Sequence, residues 1–427
     1  MPVDDAPWNR PPPVPQDGSA PEPSQAAPAP VGSVDPTVLR AQYEELRRSG
    51  EQDRAWCTAA ALVFLGAADE AQARYHADYR SQGMLAVQVP LTTELWSSCL
   101  HHPGEDLLIS KLVEAVTPTA VQLRIEQLAM QRKLPVLDPR FRQDPVTSTI
   151  TFAKVFGWAA VALGVFQPDL YVRSDVPGTL LAIPAIPLAS IAGKGVLAGF
   201  TPVELAFLCG CHLAYYRAEH YVTCLFPDPE EFVPLVLAAS VVANPSAPVP
   251  AHLASKVETV AQAFAARMQP VQLEMLRMLT RRMAEKQTEP DVQAWRRAVD
   301  FTVCRAGLLL GGDLDVARRV LEQERQAPGA PSLSERLEDL LRFSVSEQYS
   351  RLRQHLGIAV GATQGGARGE RPTHQWAENL NALAHQLPRA AVSGPGAQSG
   401  SSAKLLLVVA LVIAVAGAVL GAVLAGK

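Results

Sequence analysis

Residues 188–221 read LASIAGKGVLAGFTPVELAFLCGCHLAYYRAEHY. The first seven form an apolar, β-like run, and two similar runs precede it, DLYVRSD at 169–175 and TLLAIPA at 179–185. Pro-Gly and Pro residues separate the three, which predicts a small sheet. Thr201-Pro202-Val203-Glu204 then starts a helix. A hydroxyl stands at the cap, a proline sits where its missing N–H costs nothing, and a glutamate can reach back to the cap. Ser332 and Glu335 repeat the device. The AGKG at 192–195 is not a phosphate loop, because no glycine stands five residues before Gly193 and neither Ser nor Thr follows Lys194.

Outward from this block the pattern is helical. Helices are expected from Thr201 to about Leu356, and ITFAKVFGWAAVALGVF at 150–166 reads as a buried core helix. That run is short for a membrane span, contains Lys154 and is closed by Pro168. Upstream, helical segments are predicted over Thr93–Leu100, Asp106–Val116 and Ala120–Gln131, followed by the extended LPVLDPRFRQDP. His101 and His102 read as part of an exposed loop before Pro103. From Thr37 onward, Val38, Leu39, Tyr43 and Leu46 recur at helix spacing, with stops at Gly66 and near Gly83. DRAWCTAAALVFLGAADEAQARYHADYR at 53–80 resembles a tetratricopeptide unit, with an early aromatic, small residues where helices cross and a glycine turn.

A second block, AWRRAVDFTVCRAGLLLGGDLDVARRVL at 294–321, completes a pattern with the first. Together the two resemble the CAAX prenyl protease-like zinc peptidases, the group that includes the heat-shock membrane protease, over roughly residues 146–325. The resemblance implies a gluzincin fold: a strand, a T-P-x-E-L helix start leading to G-H-E-L-G-H, and a later helix bearing E-F-x-A-D-R-A-G-L. Such a site needs two histidines on one helix face, a glutamate as general base on metal-bound water, and a distant carboxylate as third ligand.

Aligned from its glycine, GCHLAYYRAEH places Cys211 and Tyr215 at the two histidine positions and His212 at the base. Asp300 stands at the third-ligand position, and Cys304 replaces an aspartate one turn further on. A thiolate at Cys211 can ligate zinc, but a phenol is a poor ligand at neutral pH. The flanking packing positions, Leu205, Leu208, Leu213 and Arg305 to Leu308, read as the family's do. A smaller metal set of Cys211, His212 and Asp300 is the alternative. His212 and His220, taken on one helix, would stand about 80° and 12 Å apart and cannot share an ion. No serine elbow or dinucleotide fingerprint occurs. Cys209 and Cys211 read as inert core thiols, and Arg281-Arg282 and Arg296-Arg297 as solvated helix faces.

Composition limits the remaining possibilities. The 427 residues hold 38 Lys and Arg against 42 Asp and Glu, so a net charge of -4 supplies no field for nucleic acid. Six cysteines without C-x-x-C spacing form neither a disulfide scaffold nor a zinc ribbon. No signal-peptide pattern precedes residue 37. Residues 405–426, LLLVVALVIAVAGAVLGAVLAG, carry no polar side chain. As a helix these 22 residues span about 33 Å, matching a bilayer core of about 30 Å. Arg389 and Lys404 precede the span and Lys427 follows it, which predicts a single-pass protein with residues 1–403 cytoplasmic. Gly417 and Gly421 form a G-x-x-x-G pair suited to helix contact and homodimerisation.

The expected architecture is therefore mainly α, of the α+β kind. It comprises a disordered proline-rich tail (1–36), a helical repeat-like module (37–90), a helical connector (91–145), a peptidase-like domain with a small sheet (146–357), a flexible linker (358–403) and a transmembrane helix (404–427). The expected function is a membrane-anchored, non-catalytic peptidase-like protein that binds other proteins and uses no cofactor. The alternatives are an active zinc metallopeptidase with atypical ligands and a tail-anchored helical-repeat adaptor.

Overall fold

The computed structural model describes residues 34–81, 83–285, 291–324 and 327–361. The expectations for the proline-rich tail before Val34, the linker beyond Gly361, the span at 405–426 and the Gly417/Gly421 pair lie outside the described residues.

The chain opens with α1 (Pro36–Ser49), α2 (Gln52–Phe64) and α3 (Glu70–Tyr79). Asp35 caps α1 by accepting from the Thr37 N–H, and Gly50, at φ 78°, ends it in the left-handed conformation that glycine adopts without strain. A short α4 (Thr93–Leu95) continues as a π-helical turn through Leu100. Next comes α5 (Leu107–Met130), where the sequence predicts two separate helices; the structure has one, running through Pro118. An interior proline costs about 3 kcal/mol. Leu112, Val113, Val116, Ala120 and Val121 on either side of it are fully buried, and that burial outweighs the break.

The three predicted runs form strands β2 (Asp169–Val172), β3 (Leu180–Ile183) and β4 (Ala189–Ala192) after α6 (Thr151–Leu163), and β1 (Arg142–Gln143), which precedes α6, joins them in the order β1-β2-β4-β3. β2 and β4 are parallel, with Leu170 opposite Ser190, and both outer pairings are antiparallel. One face carries a small apolar cluster of Tyr171, Val176, Ile183, Ala189 and Ile191. The alternation of side chains turns Leu170, Ser190 and Ala192 toward the helices.

The remaining helices are α7 (Pro202–Ala214), α8 (Tyr221–Leu225), α9 (Pro229–Ala243), α10 (Ala254–Ala265), α11 (Pro270–Glu285), α12 (Val292–Gly311), α13 (Leu314–Gln323), α14 (Leu333–Ser344) and α15 (Glu347–His355). Both capping boxes expected from sequence are present, Thr201 with Glu204 and Ser332 with Glu335. The described fold is mainly helical with a small sheet, and its buried core runs unbroken from Leu39 to Leu356. Among the described residues no helix is long and apolar enough to cross a membrane.

Two contacts organise this core. Arg353 on α15 grips Asp53 on α2 through Nε and Nη2 at 3.0 and 2.9 Å, beneath the Trp56 ring at 4.6 Å. The Val360 N–H also donates to Asp53 at 2.8 Å, so the carboxylate charge is compensated inside the core by the guanidinium and a backbone donor. The second contact is the antiparallel seam of α7 and α12. A Cβ at Gly210 would lie 2.9 Å from both the Ala306 carbonyl oxygen and the Gly307 Cα, so the two backbones touch there.

Helix propensity alone favours alanine over glycine at position 210 by about 1 kcal/mol, whereas overpacking a seam this tight costs about 1–3 kcal/mol. Gly210→Ala is therefore expected to lower the denaturant midpoint of the full chain. Gly83→Ala, whose Cβ meets nothing within 4 Å, serves as the neutral control. A Gly210→Ala variant as stable as the parent would show that the helices are not in backbone contact.

Candidate functional site

The seam gathers four of the five positions singled out by sequence. On α7 and its C-cap, Phe207, Cys211 and Tyr215 recur every fourth residue along one stripe; on α12, Asp300, Cys304, Gly307 and Gly311 form the facing stripe. The Tyr215 hydroxyl donates to Asp300 Oδ1 at 2.9 Å, and Cys304 is near enough to Cys211 to raise its thiol. A Cβ on Gly307 would run into the Cys211 sulfur, so that atom occupies the notch the glycine leaves.

His212 points elsewhere. Its Nε2 lies 2.8 Å from the hydroxyl of Ser190 on β4, which is also 2.7 Å from the Tyr216 hydroxyl, and Tyr216 donates onward to the Ala189 carbonyl at 2.8 Å. Burial drives the His212 imidazole down to about 3, so it is neutral and serves as a hydrogen-bonded bridge between helix and sheet. It is not aimed at the Tyr215–Asp300 pair. The alternative metal set of Cys211, His212 and Asp300 is therefore split between two faces of α7.

The electrostatics of the seam follow from its dryness. Burial, reinforced by Cys304, raises the Cys211 thiol, and burial with Asp300 raises the Tyr215 phenol. Burial also lifts Asp300 to about 6 against the opposing hydrogen bond from Tyr215. A zinc site needs thiolate and carboxylate, yet here burial disfavours the ionised form of thiol, phenol and carboxyl alike. Cys209 is likewise fully buried and its thiol is pushed far up, in keeping with an inert core residue. The helix-face reading of Arg296 is corrected: its guanidinium packs over Phe232 at 5.7 Å and donates to the Pro227 carbonyl.

A second polar cluster lies at the far end of α7, and sequence reading missed it. The helix stops at Ala214, and the turns that follow carry Arg217, Glu219 and His220 against the segment 96–106. His101, expected in an exposed loop, is mostly buried: its side chain retains 14% exposure and its ring packs edge-on to Trp96. Glu105 accepts from His220 Nε2 at 2.9 Å and from the Thr302 hydroxyl on α12. Arg217 donates to Glu219 Oε1 at 2.6 Å while its guanidinium lies 4.7 Å from the Trp96 ring centre.

Burial is the largest influence on His101, Glu105, Glu219 and His220, and charged partners overcome it for all but His101. It opposes the Glu219 charge, yet Arg217 and His220 hold that carboxyl down at about 2. Glu105 and Glu219 overcome burial to raise His220, and Glu105 is itself held below its ordinary value, chiefly by His220. For His101 burial wins, and the imidazole falls to about 4 and stays neutral. Its Nε2 is buried without a hydrogen-bond partner, an arrangement that costs about 1–3 kcal/mol. Among the described residues His101, Glu219 and His220 are the group whose ligand atoms lie close enough to share one ion, all within 4.8 Å. The sequence signals were His101 and Glu105 four apart and Glu219 next to His220. Only the fold brings these two pairs together across more than a hundred residues.

An open polar cleft of about 600 Å³ lies away from both loci, lined among others by Gln52, Gln88, Ser350, Gln354 and His355. No family model, curated protein or solved structure matches the chain.

Asp300 yields a pH test. Its value in the fold, about 6, lies above its ordinary 3.8, so the fold prefers the protonated acid. That contribution to stability is complete below about pH 3.8 and is lost as pH rises through about 6. The full span is worth on the order of 3 kcal/mol. Asp300→Asn keeps an acceptor for Tyr215 and carries no charge. It is expected to raise the unfolding free energy at pH 7.5 and to leave it nearly unchanged at pH 4, measured by denaturant titration. Equal effects at both pH values would show that Asp300 is not a disfavoured buried carboxylate.

Proposed function

We propose that the chain is a membrane-anchored, non-catalytic relative of the CAAX prenyl protease-like peptidases that acts by binding other proteins. The observation carrying this reading is the α7–α12 seam. The positions that align with a zinc peptidase's two histidines, its acid ligand and the outer carboxylate are packed against one another as Cys211, Tyr215, Asp300 and Cys304. His212, at the general-base position, is committed to Ser190. A hydrolytic site needs an open coordination position and a base facing it. A buried phenol–carboxyl and thiol–thiol contact offers neither.

Anchoring rests on the uninterrupted apolar run 405–426, with residues 1–403 on the cytoplasmic side by the excess of Arg389 and Lys404 over Lys427. The partners are proteins and the bilayer, with self-association through Gly417 and Gly421; the net charge of -4 argues against nucleic acid.

Two measurements test the reading. Full-length protein supplied with Zn²⁺ is expected to leave an unfolded protein substrate intact; cleavage that disappears in Asp300→Ala would establish the active peptidase instead. The full chain is also expected to sediment with membranes after alkaline washing, and a chain lacking 404–427 to remain in the supernatant. Equal behaviour of the two forms would contradict the anchor.

A further inference from the structure

We propose that His101, His220 and Glu219 form a binding site for a divalent transition metal of the Zn²⁺ type. This site is separate from the seam. Its ligands come from the turn before α5 and the turns after α7, not from the facing stripes of α7 and α12.

The first support is the donor chemistry. Two imidazoles and a carboxylate are ligand types that suit zinc and its neighbours, and the carboxylate, Glu219, is buried. The second is the unpartnered nitrogen. Buried polar atoms in folded proteins nearly always find a partner, and His101 Nε2 has none, although it faces Glu219 Oε1 at 3.7 Å. That distance is too long for a hydrogen bond. It is close to the separation of about 3.3 Å between two ligands of a tetrahedral ion with bonds of about 2.0–2.1 Å. The remaining ligand atoms lie within 4.8 Å, so closing the set requires shifts of about an ångström.

The surroundings are already those of a metal site. Ligating carboxylates are themselves hydrogen-bonded in such sites, and Arg217 holds Glu219 at 2.6 Å while stacked on Trp96. Glu105 stands 2.9 Å from His220 Nε2 and 3.9 Å from His101 Nδ1, and it is tethered from α12 by Thr302. The 14% exposure of the His101 side chain leaves a way in for an ion. With three protein donors the site leaves a fourth position for water, and a bound ion would clamp the 96–106 segment against the turns that follow α7.

The test uses untagged full-length protein stripped with chelator and titrated with Zn²⁺, and with Co²⁺ as a coloured probe of coordination. One equivalent is expected to bind, to raise the thermal midpoint and, for Co²⁺, to give the visible absorption of a four-coordinate ion. His101→Gln removes a nitrogen that bonds to nothing in the metal-free fold, so the variant is expected to fold; it should weaken binding about ten-fold or more. Glu219→Gln should do the same, whereas Asp300→Asn in the seam should bind as the parent does. Absence of stoichiometric binding, or affinity unchanged by both His101→Gln and Glu219→Gln, would overturn the site. Loss of binding in Asp300→Asn alone would overturn it as well and move the ion to the seam.

Discussion

Gly210 and Gly307 let the backbones of α7 and α12 meet without side chains between them, and the arrangement of the rest follows from that contact. Helices separated by ordinary side chains stand about 8–10 Å apart, which leaves room for an ion and its ligands between facing stripes. Closer approach removes that room. The Cys211 sulfur fills the notch over Gly307, and Tyr215, one turn on, is pressed onto Asp300. The same approach fixes the rotation of α7 about its axis, and this rotation sends His212 to Ser190 on β4. Backbone packing thus determines which polar groups meet, and burial then determines their protonation.

The seam and the turn cluster that follows α7 show how burial can lead to different outcomes. In the seam burial outweighs the pull of Tyr215, Arg296 and Arg336 on Asp300, whose carboxyl is lifted to about 6. In the turn cluster each carboxylate has a positive partner: Glu219 has Arg217, and Glu105 has His220. The charges survive there because they are compensated in place. Only His101 is left out of the exchange, and its bare nitrogen makes the cluster an incomplete network.

Much of the helical architecture was legible because its signals are local. The capping boxes at Thr201 and Ser332, the glycine stop at Gly66 and the three apolar runs of the sheet each depend on residues within a few positions of one another. Sequence placed Cys211, Tyr215, Asp300 and Cys304 at related positions only through a resemblance, and their meeting across the seam is read from the fold. Three features were not legible. Pro118 inside α5 is overridden by long-range burial that no window of sequence contains. The end of α7 at Ala214 has no glycine or proline to announce it, so Glu219 and His220 were read as part of a continuing helix. His101 was read as exposed because it precedes Pro103, yet the Trp96 ring and the turn at 217–220 enclose it.

The most direct test of the account is a zinc-edge anomalous difference map from crystals of the full chain grown with Zn²⁺. The account predicts no density within bonding distance of Cys211, Tyr215 and Asp300, because the sulfur and the phenol already occupy that space. A peak held jointly by Cys211 and Asp300 would contradict it, and would mean that the helices part to admit a catalytic ion.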